Sequence, residues 1–176
     1  LGSFMSLVLV SFFTLFVGTQ VVIKVDTWYQ PPYVIPLMGM ILGNSLTGIS
    51  LSLDKMLDNL SQQKVKIETL LAHGATRWEA CRGSFQEATR VGLIPITNSM
   101  MVVGIVALPG AMTGQILSGT DPVLAVKYQI MVMFMIASAT TLGAALMGWY
   151  TYKKLFNSKH QLKLSLIHIS EPTRQD

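Results

Sequence analysis

The sequence predicts an all-α fold, a polytopic transmembrane helix bundle with about four spans and a helix–glycine–helix loop between the second and the third. Three observations predict it. Half of the 176 residues are hydrophobic and only 12% are charged, against about a quarter charged in soluble domains. The shortage is local: Phe4–Ile23, Val34–Leu53, Val91–Thr120 and Tyr128–Tyr152 contain no Asp, Glu, Lys or Arg, and each provides the roughly 20 residues that cross a ~30 Å hydrocarbon core as a helix. The runs are also continuous, whereas barrel strands alternate apolar and polar residues over about ten positions.

Phe4–Ile23 lacks the basic start and small-residue exit of a signal peptide, and further spans follow it. It reads as a true span of a chain that begins upstream of Leu1. In the loop Lys24–Tyr33, Trp28, Tyr29 and Tyr33 suit the headgroup level, and Pro31-Pro32 separates one span from the next. Small residues recur four apart at Gly39 and Gly43 (continued by Thr47 and Ser50), at Gly110 and Gly114, and at Ala144 and Gly148. That spacing lets helix backbones approach in lipid, here as packing within the bundle. Asn44, Ser45, Thr97, Asn98, Ser99, Thr140 and Thr141 are expected to face the bundle interior, bonding between helices or lining a pathway.

The apolar pattern continues beyond the second span. Met56, Leu57, Leu60, Ile67, Leu70 and Leu71 recur at helical spacing among Asp, Lys, Asn and Gln, so Asp54–His73 is expected to be one amphipathic helix on the order of 30 Å long. Gly74 ends it, and Thr76 with Glu79 fits a capping box that starts the next helix. That helix places Trp78, Cys81, Phe85 and Ala88 on one stripe, with Arg77, Arg82, Gln86 and Glu87 elsewhere.

Eleven Lys and Arg residues lie between spans two and three or after span four, and only Lys24 and Lys127 lie on the other side. Positive residues stay cytoplasmic, which predicts that Asp54–Arg90 and the C-terminus are cytoplasmic. The net charge of +4 therefore reflects topology rather than a nucleic-acid surface. The single cysteine, Cys81, forms no internal disulfide and says nothing about compartment.

An enzyme is not indicated. The sequence has no G-x-x-x-x-G-K-[ST] loop, no nucleophile–histidine arrangement and no cofactor motif. Methionine thioethers suit soft metals, but Met131, Met133 and Met135 are spaced by two, turning successive side chains by about 200° on a helix. All three cannot converge on one ion; Met100, Met101 and Met112 remain metal candidates beside a packing role. The stretch Leu108–Gly119 reads as a broken helix near the outer face, tolerated at that depth only when buried in protein or lining a cavity, with a simple loop entering span four as the competing account. Pro109, Gly110, Thr113, Gly114 and Gln115, with Asn44, Asn98 and Ser99, complete the transport-pathway candidates.

The segments Ile35–Asp54, Glu68–Ala80 and Asn98–Gly119, above all NSMMVVG and LPGAMTGQIL, resemble the iron-export permease family of ABC transporters, which includes plant aluminium-sensitivity permeases. The resemblance covers roughly residues 4–155. It implies a permease subunit with about seven spans in full, the first three or so outside this sequence, in the plasma (inner) membrane. It also implies two permease copies, a cytosolic ABC ATPase as partner, and a metal ion or small solute as cargo. Glu68 and Gly74 resemble the acidic residue and glycine of bacterial coupling segments, so Glu68, Gly74, Ala75, Thr76, Arg77, Glu79 and Arg82 are the ATPase-coupling candidates. An ATP-independent metal channel or carrier, and an anchor subunit that recruits a soluble partner without transport, are the competing readings. The permease domain is taken as residues 1–155, with 54–90 as coupling loop and 156–176 as a disordered tail. LSLIHISEPTRQD (Leu164–Asp176) resembles a translated sequencing-adaptor read-through.

Overall fold

The computed structural model describes residues 2–23 and 31–155, and the proposed tail lies outside them. Helix α1 spans Gly2–Val17 and runs into a π-helical segment, Gly18–Ile23. There follow α2 (Pro31–Gln62), α3 (Lys64–Ala72), α4 (Arg77–Val102), α5 (Gly110–Leu117) and α6 (Pro122–Leu155). The described residues are all-α, a membrane helix bundle in which α2, α4 and α6 pack on one another and α1 packs on α2 and α6.

Helices α2 and α6 contain segments, Val34–Gln62 and Pro122–Lys154, long and apolar enough to cross a membrane. With 32 and 34 residues they are about 48 and 51 Å long at 1.5 Å per residue, well beyond a ~30 Å hydrocarbon core. This excess length explains why there are two cores. One gathers Val10, Leu15, Leu37, Ile41, Ile96, Val132 and Ile136 among the spanning segments, where packing rather than the hydrophobic effect holds helices together. The other gathers Met56, Leu60, Ile67, Cys81 and Ala88 at the hairpin end, where burial from water contributes about 1.5–3 kcal/mol per large side chain.

Four expectations need correction. Pro31 and Pro32 open α2 instead of ending a loop, because a first-turn amide has no intrahelical partner for proline to remove. The amphipathic segment is two helices, interrupted at Gln63 (φ −96°, ψ 16°). The third apolar run is not one span: α4 ends at Val102, ahead of the predicted break, and the chain turns through Val103–Pro109 before α5. The small-residue pattern works only in part. Ala144 is buried and Gly148 meets Phe85, but among the described residues nothing lies within 4 Å of a Cβ built on Gly39, Gly43, Gly110 or Gly114.

Candidate functional site: a capped hairpin and a broken far end

The hairpin between α3 and α4 is built by backbone hydrogen bonds. Gly74 adopts φ +87°, a left-handed conformation that glycine enters without a Cβ clash. Its amide bonds the Leu71 carbonyl at 3.1 Å and the Ala75 amide bonds the Leu70 carbonyl at 3.0 Å, completing a Schellman stop. His73 Nδ1 donates to the Thr69 carbonyl at 2.8 Å. Two residues on, Thr76 caps α4: the Glu79 amide donates to Thr76 Oγ1 at 3.3 Å and the Thr76 amide donates to Glu79 Oε2 at 2.8 Å. The Thr76 hydroxyl also donates to Glu79 Oε2 at 2.7 Å. Hydrogen bonds from the Thr76 side chain and backbone hold the Glu79 carboxyl below its ordinary value of 4.5.

Of the coupling candidates, Glu68, Gly74, Thr76, Glu79 and Arg82 are exposed, while Ala75 and Arg77 are half-buried. Val65, 76% exposed, and Leu70 give the outer surface of α3 an apolar component beside Lys66 and Glu68. Beneath it, Cys81 is fully buried and desolvation pushes its thiol up to about 11.

The start of α4 is tied to the end of α6 by aromatic rings. Trp78 lies 5.4 Å from Phe85, 5.7 Å from Tyr152 and 6.1 Å from Trp149 between centroids, the edge-on separations that ring quadrupoles favour. Lys153 Nζ sits 5.3 Å over Trp149.

At the far end, the Val102 carbonyl accepts from the amides of Ile105, Val106 and Ala107 at 3.2, 3.0 and 3.1 Å, and Gly104 takes φ +83°. Pro109 caps α5 without a side-chain bond, and Thr113 Oγ1 donates to its carbonyl at 3.2 Å. Helix α5 closes with a second Schellman stop: Gly119 at φ +92°, its amide on the Ile116 carbonyl and the Thr120 amide on the Gln115 carbonyl, both at 3.0 Å. Asp121 Oδ1 then accepts from the Leu124 amide at 3.1 Å, with Pro122 in the first turn of α6.

The transport-pathway candidates divide. Met112 is buried, Gln115 has a buried Oε1 without a hydrogen-bond partner among the described residues, and Ser99 Oγ donates to the Pro95 carbonyl at 2.9 Å. Met100 packs partly buried against the spanning core, while Met101 is 69% exposed. Gly110 and Gly114 are exposed, and Pro109 and Thr113 half-buried. Asn44, Thr97, Asn98 and Thr141 face out of the described bundle, contrary to expectation, and so does Thr47. The cause is local for four of them: Asn44 Nδ2 and the hydroxyls of Thr47, Thr97 and Thr141 donate to carbonyls four residues back, so none needs a neighbouring helix. Ser45 and Thr140 do lie inside.

Residues 2–156 match the family described as uncharacterised protein family UPF0014. The chain belongs to that family. It is 43% identical over 142 residues to a UPF0014 membrane protein of Synechocystis, covering 81% of this chain and 55% of that one. Against the probable iron export permease protein FetB of Escherichia coli it is 37% identical over 157 residues (86% of this chain, 61% of that one). Against the protein ALUMINUM SENSITIVE 3 of Arabidopsis thaliana it is 34% identical over 135 residues (77% and 50%). The chain thus spans roughly half to three fifths of these relatives. No solved structure matches it.

Two features of this UPF0014 chain escape sequence reasoning. A cavity of about 380 Å³ lies between α1 and α6, lined by Phe13, Thr14, Gly18, Met131, Met135 and Ser138 among others. None of the pathway candidates lines it. Met131 and Met135, one turn apart, share it and Met133 does not, as their spacing requires. The available signal was the Thr14 hydroxyl in the first apolar run. The partnership of Trp78 with Trp149 and Tyr152 was the second omission, because residues about 70 positions apart share no periodicity.

Proposed function

We propose that this chain forms the ATPase-coupled, membrane-spanning part of an ABC-type exporter permease that moves metal ions, iron by family association. The capped hairpin α3–Gly74–α4 is the single observation that carries this reading. It has its own core, a fixed bend, and an outer surface of Val65, Lys66, Glu68 and Leu70 suited to a protein groove. A loop that merely joined two spans would need none of these. The eleven-to-two distribution of Lys and Arg supports a cytosolic hairpin; in this reading a separate ATPase docks on it, and two permease copies in the plasma (inner) membrane complete the unit. The relative named as a probable iron export permease supports export and the cargo.

Nucleotide moves the cargo only by favouring one permease state over another. The test uses the full-length gene product in sealed vesicles, with and without the ATPase and ATP, and iron(II) as cargo. Transport that requires both components supports the proposal. Transport independent of ATP makes the protein a channel or carrier, and ATPase binding without transport makes it an anchor. A cysteine placed at Gln63 should be labelled from the cytoplasmic side, and labelling only from outside would remove the docking site.

A further inference from the structure

We infer that Trp78 is a positioning residue that carries displacement of the hairpin into α6, an inference that rests on the ATPase-coupled reading above. The hairpin is joined by the chain to α2 and α4, so covalent geometry alone moves those two helices. Its link to α6 is not covalent. It includes Trp78, in the first turn of α4, set edge-on against Trp149 and Tyr152 near the end of α6, at interplanar angles of 62° and 81°.

Two neighbouring features make this link stiff. Phe85, 5.4 Å from Trp78, lies over Gly148 of α6, where a Cβ would come within 2.7 Å of its Cε2. The glycine is therefore a notch that fixes the height of α4 against α6, and Trp78 fixes its rotation. The capping box holds the first turn of α4 on the other side, since Thr76 stands two residues before the indole. A shift at Gly74–Thr76 thus reaches the indole without a flexible segment between.

Helix α6 is the element worth moving. Along its length, Trp149 and Tyr152 face the hairpin, Thr140 and Gly143 press on Gly48 and Ile49 of α2, and Met131 and Met135 line the cavity against α1. A tilt imposed at one end is delivered to all three, because packed helices move as rigid bodies with discrete arrangements.

The experiment measures ATPase binding, ATP hydrolysis and ATP-driven iron(II) transport side by side in vesicles holding the full-length protein and its ATPase. Trp78→Ala should lower transport about tenfold, while binding stays within about twofold and hydrolysis continues. Trp78→Phe, which keeps a ring, should retain most of the transport. In W78C/W149C a short bifunctional methanethiosulfonate, which joins the two cysteines through disulfides with release of two sulfinates, should restore transport lost in the uncross-linked protein. Cys81 does not interfere, being buried. Wild-type transport in Trp78→Ala, loss of ATPase binding in that variant, or no recovery on cross-linking each overturns the inference. A wild-type protein that transports without ATP, or never binds the ATPase, fails earlier and removes the coupled reading together with this inference.

Discussion

A Cβ on Gly92 would lie 2.6 Å from the Gly48 carbonyl oxygen, and one on Gly48 would lie 2.8 Å from the Gly92 carbonyl oxygen. Helices α2 and α4 therefore cross backbone to backbone between the two cores, with Thr140 of α6 against the same point and Ser52 beside it. In lipid, where burial of apolar surface does not drive helices together, such close approach is the main source of association. The crossing joins the hairpin end to the spanning core through its narrowest contact.

Gly92→Ala is the direct test of that contact. The added methyl meets a carbonyl oxygen and the Ser52 Cβ, neither of which can rotate away, so the variant should lose about 1–3 kcal/mol of stability. Gly39→Ala and Gly43→Ala, where no described residue lies within 4 Å, should leave it unchanged or raise it by up to about 1 kcal/mol. Reversible unfolding in detergent, followed by helical circular dichroism, measures all three. Equal effects at the three sites would refute the close crossing.

The capping box makes the hairpin sensitive to acid. Glu79 titrates below its ordinary value of 4.5 in the folded chain because Thr76 hydrogen-bonds its ionised form. A depressed carboxylate contributes stability that is complete above the unfolded value and lost as pH falls through the folded one. The first turn of α4 should therefore hold above about pH 4.5 and loosen below it. Thr76→Ala should cost about 1 kcal/mol and also remove this acid dependence. Amide hydrogen exchange at Arg77–Ala80 against pH reads both effects.

Cys81 should resist thiol reagents while the hairpin is folded. Its thiol is buried and pushed up to about 11 from an ordinary 9.0, so almost no thiolate exists at neutral pH. Because the unfolded chain releases this proton first, stability should fall as pH rises from 9 towards 11. Maleimide labelling at neutral pH should stay low in the native protein and become complete in denaturant. Ready labelling of the native form would mean that the core of Met56, Leu60 and Cys81 is open.

What the sequence discloses and what it hides follow from the range of the interactions. The second and fourth apolar runs, the Gly74 stop and the Thr76–Glu79 cap are set by local sequence, and the structure reproduces them. The break after Val102 was legible in kind but not in place, because the three-amide turn on the Val102 carbonyl forms on Gly104 while proline and glycine cluster further on. The small-residue motif pointed to Gly39 and Gly43, whereas the close crossing uses Gly48 and Gly92 from different helices. Pairing of that kind, like Trp78 with Tyr152, is set by tertiary geometry alone. Outward Asn44 was misjudged because its amide found a carbonyl one turn back.

Ser45 and Ser52 lie on the inner face of α2, on either side of Gly48, and are 0% and 1% exposed. Neither hydroxyl makes a hydrogen bond among the described residues. A buried polar group left unpaired costs about 1–3 kcal/mol, so Ser→Ala at these positions should leave stability unchanged or raise it, the opposite of the usual effect of altering a core. Thr140→Val should instead cost up to about 1 kcal/mol, because the Thr140 hydroxyl donates to the Ile136 carbonyl at 2.8 Å and that hydrogen bond is lost. Detergent unfolding of the three variants separates the cases. If Ser45→Ala and Ser52→Ala are stable yet the proposed ATP-driven transport fails, the two hydroxyls meet their partner only in another state of the protein, at the crossing where α2, α4 and α6 converge. If both variants unfold more easily than the parent, the hydroxyls are already paired in the resting bundle and the crossing is a purely structural joint.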